Sequence, residues 1–327
     1  MSTPGFGRTL LLSAFLLAVP SYVLGTSPEP LAIADDPQAA QLTISFKNRP
    51  ILVYAHSAKQ FKPYVKELFD LSGYNLLRDA PPDHLHHHGM MYAVIVNGVT
   101  YWQERADTGI ERSVRIEKQQ AGLDDRGLPY ASFVDVIEWL DLAGKSAAEG
   151  GKPVLQERRT IRVTVDENQK EVAVQWSADF DVSSKTSVRL TGDPYNGLGL
   201  RLPKDFDGRV IHQNAEKTLD PRQGDPNISK SRWSAASVGL PTGASMVAVF
   251  GDPGNRLGDS VFFLMYQPFA YIAATQALDK NALDYPAGAR YRLNYLVTVY
   301  PEVKTGEFLQ RRATEWNRTD RPPIIPK

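Results

Sequence analysis

Histidine is concentrated in one short stretch of this chain. Four of the six histidines fall between His84 and His88, in "PPDHLHHHGMM", with Asp83 before them and Gly89 after. Imidazole titrates near neutrality and also ligates metals, so such a cluster suits either proton transfer or metal binding. In an extended chain His84, His86 and His88 project to one side and His87 to the other. His84 and His86 then form a His-x-His pair that suits a divalent ion such as zinc, provided a further ligand comes from elsewhere. His56, His212, Asp83 and Glu104 are the residue types available for that. Without a metal, Asp83, His84, His86, His87 and Glu104 compose an acid–base centre for work on a sugar. A third reading is a polar loop whose rings satisfy backbone groups and pack on aromatics. The residue types leave all three open.

A ribbon must position these groups. "MMYAVIVNGVTYWQE" has Asn97-Gly98 between two β-rich runs, which suits a two-residue type I′ hairpin because both turn residues take positive φ. Counting outward from Val96 opposite Val99 pairs Ala93 with Trp102 and Met91 with Glu104. That register carries Glu104 to the histidine end of the hairpin, unless a bulge intervenes. Trp102 beside Glu104 suits carbohydrate, the ring stacking on the sugar and the carboxylate moving a proton. Lys66, Arg78, His88, Trp102 and His212 are the expected substrate contacts.

The stretch "PYVKELFDLSGYNLLRDAPPDHLHHHGMMYAVIVNGVTYWQE" resembles a bacterial family known as PmoA or methane oxygenase PmoA, a domain of uncharacterised function. The blocks "YNGLGLRL" from Tyr195, "VAVFGDPGN" from Val247 and "GARYRLNYLVTVY" from Gly288 are similar as well. Lys66-Glu67 and Asp252 depart from the family pattern, which carries histidine at these places. The resemblance does not imply methane oxidation, because after its first residues the chain has no apolar run long enough to span a bilayer.

Strand signals dominate from Leu42 onward. "LTISF", "ILVYAH", "ASFVDVIEWLDL", "VFFLMYQPFAYIAA" and "RYRLNYLVTVY" are alternating or apolar runs separated by frequent turn residues. Only "TGEFLQRRATEWN" reads as a helix, with Phe308, Leu309, Ala313 and Trp316 on one side. The expectation is an all-β fold: one large antiparallel β-sandwich over 42–327, compatible with a galactose-mutarotase-like supersandwich, ending in a short C-terminal helix. A two-domain all-β chain is the rival. By analogy with that fold the reading is a carbohydrate-active enzyme (hydrolase, lyase or epimerase), and the alternative is a non-catalytic carbohydrate-binding or structural envelope protein.

Composition narrows the setting. With 37 basic and 37 acidic residues the net charge is zero, so no nucleic-acid footprint is expected. There is no cysteine, and stability must come from the core rather than from disulfides. Residues 1–25 read as a signal peptide, with Arg8, an apolar run from Leu10 to Val19, and small residues before a cut after Gly25. Residues 26–41 are rich in Pro, Ala and Asp and read as a linker. The expectation is an exported protein, periplasmic or extracellular, with a carbohydrate or small-molecule partner and no transmembrane span after signal removal.

Overall fold

Alternation of apolar and polar side chains with a period of two makes strands with one core face, and it recurs along nearly the whole chain. The computed structural model describes residues 1–2, 31–142, 151–183, 185–220, 227–255 and 259–319. The stretch read as a signal peptide lies almost entirely outside the described residues. In chain order the elements are β1 (Ala32–Asp36), β2 (Gln41–Phe46), β3 (Arg49–Ala55), β4 (Tyr64–Leu68), β5 (Met90–Ala93), β6 (Ile95–Val96), β7 (Val99–Thr100), β8 (Ile110–Leu123), β9 (Pro129–Asp141), β10 (Lys152–Asp166), β11 (Glu171–Val182), β12 (Val188–Thr191), β13 (Gly197–Arg201), β14 (Ile211–Asn214), β15 (Thr218–Leu219), β16 (Ile228–Ser231), β17 (Trp233–Leu240), β18 (Gly243–Gly251), β19 (Ser260–Met265), β20 (Tyr271–Thr275), β21 (Leu283–Tyr285), β22 (Arg290–Tyr300) and helix α1 (Gly306–Thr319). Strand β1 corrects the linker expectation: it pairs with β2 through Ala32–Ser45 to Asp36–Gln41.

Two nine-stranded sheets form the body. The first runs β1-β2-β3-β4-β5-β13-β20-β19-β16 and the second β15-β14-β17-β18-β22-β11-β10-β9-β8, with a small sheet β21-β12-β6-β7 beside them. The expected large antiparallel β-sandwich is what the chain builds. Between the sheets lies one core. Tyr92, Leu198, Leu200 and Ile272 enter it from the first sheet, and Phe133, Trp139, Trp176 and Val297 from the second. Tyr291, Leu293, Tyr295, Val297 and Val299, aligned by alternation along β22, all face that core.

Each sheet also has a covered outer face. On the second sheet Leu309, Ala313 and Trp316 of α1 pack against Trp233, Met246, Phe250 and Tyr300. On the first, the strand positions skipped by the core form a separate apolar layer: Met91, Ala93, Phe263, Tyr271 and Ala273, joined by Tyr64, Trp102 and Phe269. The floor of that layer is small where strands cross it. Met91, Gly199 and Ala273 are register partners, as are Ala93, Gly197 and Thr275. Gly199 is required there, because a Cβ would lie 1.7 Å from the Tyr271 hydroxyl.

Candidate active site

The histidine stretch is not extended. His84 N–H donates to Pro81 O and His87 N–H to His84 O, so two successive turns curl the chain. This overturns the expected alternation. His84, His86 and His87 converge, with ring centroids 4.5 Å apart for His84–His87, 4.6 Å for His86–His87 and 5.9 Å for His84–His86. His88 turns away from them and stacks on Tyr64 at 4.0 Å.

The hairpin forms where expected, with Asn97 at φ 52° and Gly98 at φ 82° and Val96 opposite Val99. Its ladder is shorter than the counting implied. Past Ile95–Thr100 the chain leaves the small sheet, and β5 pairs with β13 in the first large sheet. The expected Ala93–Trp102 and Met91–Glu104 pairs therefore do not form. Glu104 still reaches the histidine end, through side-chain bonds rather than a ladder.

A cavity of about 410 Å³ opens on the outer face of the first sheet. That is within the usual range for small-molecule sites, roughly 300–1,000 Å³. His84, His86 and His87 form one wall, and Trp102, Tyr195, Phe263, Phe269 and Tyr271 supply five aromatic rings. Gln103 is its amide. Tyr195 and the residues of β19 and β20 in this wall are ones that sequence reasoning missed. Their signal was present only as the bulky half of the alternation in β19 and β20, which reads as ordinary core. Trp102 and Tyr195 rings lie 5.0 Å apart at 56° and form an angled platform.

Next to the cavity wall a chain of charges is closed on itself. His88 Nδ1 meets Asp79 Oδ1 at 2.7 Å and His88 Nε2 meets Glu104 Oε1 at 2.9 Å. The Lys62 ammonium, 1% exposed, donates to Glu104 at 2.8 Å and to Trp102 O at 3.3 Å. The Tyr64 hydroxyl donates to Asp79 at 3.2 Å. Burial works against a charged His88, but the two carboxylate hydrogen bonds outweigh it and hold the imidazolium above its ordinary range. Burial likewise opposes a charged Glu104, and the His88 hydrogen bond and Lys62 charge prevail, pulling it down to about 2. Two cations thus balance two anions. Asp79, Lys62 and Tyr64 belong to this set, and sequence reasoning named none of them as site residues.

The histidines of the cavity wall have the opposite character. Burial, reinforced by His86 and His84, pushes His87 down to about 3. Burial and the nearby Lys62 also lower His86, against a counter-pull from Glu104. Both rings are therefore neutral at pH 7 and can accept a proton or a hydrogen bond.

The remaining expected residues lie elsewhere. Asp83 is exposed, accepts from its neighbour His84 at 3.0 Å and stands 3.5 Å from the Arg201 guanidinium. Arg78 pairs with Asp207 at 3.6 Å, the ordinary ion pair its setting allows. Lys66 sits on β4, away from the cavity wall. His212 is a correction: it lies buried on β14 in the second sheet, its Nε2 3.4 Å from Met265 O, and burial pushes it down to about 4. His56 pairs with Asp35 at 3.0 Å, on β1, also outside the wall. Among the described residues no three His, Asp or Glu side chains are arranged to hold a metal ion. No described helix is long and apolar enough to cross a membrane.

Comparison with known proteins adds the fold and a family. A GH36 α-galactosidase, AgaB, from Geobacillus stearothermophilus is similar with a TM-score of 0.50 at 13% identity, over 83% of this chain and 41% of that one. A putative aldose 1-epimerase from Klebsiella pneumoniae has a TM-score of 0.44 at 8% identity, over 88% and 87% of the two chains. Both bear the names of carbohydrate-active enzymes, and the first likeness is one of fold alone. This chain spans about two-fifths of the α-galactosidase. No curated protein matches it. Among family models, one described as a family of unknown function, DUF6807, matches residues 41–314. That match corrects the expected resemblance, since no PmoA family model matches.

Proposed function

The chain belongs to the family of unknown function DUF6807, and from that premise we propose that it is an exported enzyme that moves a proton on a bound sugar, as an epimerase or lyase does. One observation carries this reading: three histidines and five aromatic rings enclose a single cavity of about 410 Å³. Aromatic faces offer the C–H face of a sugar ring a flat apolar surface, and neutral imidazoles offer its hydroxyls and acidic protons an acceptor.

Two-carboxylate hydrolysis fits less well. It needs a pair of carboxyl groups flanking the scissile bond, roughly 5–10 Å apart. Among the described residues the cavity wall contains no carboxylate. Glu104, the nearest candidate, is held ionised by His88 and Lys62, which suits an electrostatic part rather than a proton donor. In this reading His86 is the proton acceptor and its imidazolium is steadied by Glu104. His87 orients the ligand, and Trp102 and Tyr195 form the platform. Export to the periplasm or beyond rests on the basic–apolar–small pattern of residues 1–25, with the cut after Gly25.

The test is NMR of monosaccharides and their acids in D₂O with the purified protein. Anomer exchange, deuterium entering a C–H, or a new vinyl signal is the expected outcome. His86→Ala should slow it by about 10²-fold or more, the scale of a lost general base, while ligand binding persists. Binding with none of these signals would replace the enzyme by a sugar-binding protein.

A further inference from the structure

Three buried polar groups on the cavity side of the first sheet lack a hydrogen-bond partner. They are all three nitrogens of the Arg201 guanidinium, the Tyr271 hydroxyl and His87 Nδ1. Arg201 is 0% exposed, Tyr271 2% and His87 6%. Register gathers them. Arg201 is opposite Tyr271 across β13–β20, and alternation along β13 sets Arg201 on the same face as Gly199, against the Phe269 ring of the cavity wall and just outside the lining residues. The His87 ring centre is 6.3 Å from that of Tyr271. An unmet buried polar group is costly, and an unmet buried charge more so. Several unmet groups on one face mean that something outside the chain completes them.

The dominant member is a permanent cation. Phe269 covers one face of the guanidinium at 3.5 Å, which leaves the N–H edge to be satisfied. Asp207 and Asp83 both act on it, and Asp83 is the one in ion-pair range, its Oδ2 3.5 Å from Nη2. Asp83 is 52% exposed and already bonded to His84. It is a loosely held counter-ion that an incoming anion can replace. Arg78 and Lys62 nearby are engaged by Asp207 and Glu104, so one charge is on offer and a monoanion matches it. A planar guanidinium edge prefers a planar carboxylate, which it takes in two parallel bonds.

We propose that the sugar bound in this cavity is a uronic acid, whose carboxylate displaces Asp83 at the Arg201 guanidinium while the Tyr271 hydroxyl donates to the ligand. This rests on the sugar reading above and names its substrate class. Calorimetric titration of the full chain with D-galacturonate, D-glucuronate, D-galactose, D-glucose and propionate tests it. One of the uronates should bind about tenfold or more tighter than its neutral parent, the scale of one charge-assisted pair. Asp83→Asn, at an exposed position, removes the competing carboxylate and should raise that preference by about threefold or more. Arg201→Lys should abolish it; if that buried substitution prevents folding, Asp83→Asn still decides.

Equal affinity for a uronate and its neutral parent would overturn the inference and leave the sugar reading intact. An Asp83→Asn protein with an unchanged or smaller uronate preference would do the same. Propionate binding as tightly as the uronates would show that the ring contributes nothing, and would overturn both. Binding by none of the probes would also overturn both.

Discussion

His88 joins two carboxylates at one part-buried ring. It is 8% exposed and bridges two carboxylates, Asp79 and Glu104, that approach from different segments. Removing the cation leaves two part-buried anions with one ammonium, and breaking a largely buried pair in this way costs about 3 kcal/mol. His88→Asn should lower the urea unfolding midpoint by a corresponding amount, measured by tryptophan fluorescence. His86→Ala, on the cavity side, should leave that midpoint nearly unchanged. The sequence offers His86 and His88 as equivalent members of one cluster. Only the turns at Pro81–His87 separate a ligand-facing imidazole from a structural imidazolium.

At the scale of elements, β8, β9 and β10 bury an unusual set of charges against the core. Arg159 on β10 is bonded by Glu157 at 2.7 Å and by Glu111 of β8 at 3.1 Å, and donates to Pro63 O at 2.7 Å. Tyr54 and Ser113 donate to Asp135 of β9 at 2.8 Å and 2.6 Å. One guanidinium serves two carboxylates, so a proton stays on the pair. Burial, with Glu157 beside it and despite Arg159 and Lys62, pushes Glu111 up to about 8. A carboxyl whose folded pKa is raised keeps a proton that the unfolded chain releases, so its stability contribution declines as pH rises from about 4.5 to about 8. His88 acts in the same direction above pH 6.5, because its raised folded pKa means stability is lost as pH climbs through it. Below 6.5 the buried neutral rings of His87 and His212 oppose this, since the unfolded chain gains their protons. Stability should therefore fall between pH 6.5 and 8. Glu111→Gln should reduce that slope and Glu111→Gln with His88→Asn should nearly remove it, as read from urea midpoints across the range.

Over the whole molecule, the sandwich separates its two outer faces. The cavity occupies the outside of the first sheet, and α1 covers the outside of the second, with the main core between them. Trp316, 1% exposed, is the largest buried side chain of α1 among the described residues. Trp316→Ala should cost about 3–5 kcal/mol of stability, the usual penalty for emptying a buried tryptophan site. Ligand affinity of the folded protein should stay the same, which titration of the variant at low temperature would check. A drop in affinity as large as the drop in stability would mean that the two faces are coupled through the core.

Local pattern was enough to determine most of the strands, the Asn97-Gly98 turn and the apolar side of the terminal helix. These follow from period and turn chemistry, which act over a few residues. Tertiary structure decided the rest. Val94 is where the ribbon changes sheets, so the register counted from the turn stops two pairs out. Phe263, Phe269, Tyr271 and Arg201 join the histidines although over a hundred residues separate them in the chain. His212, a plausible partner by residue type, goes to the other sheet. A β-sheet assembles neighbours by backbone pairing between distant segments, and no local preference encodes which strand lies beside which.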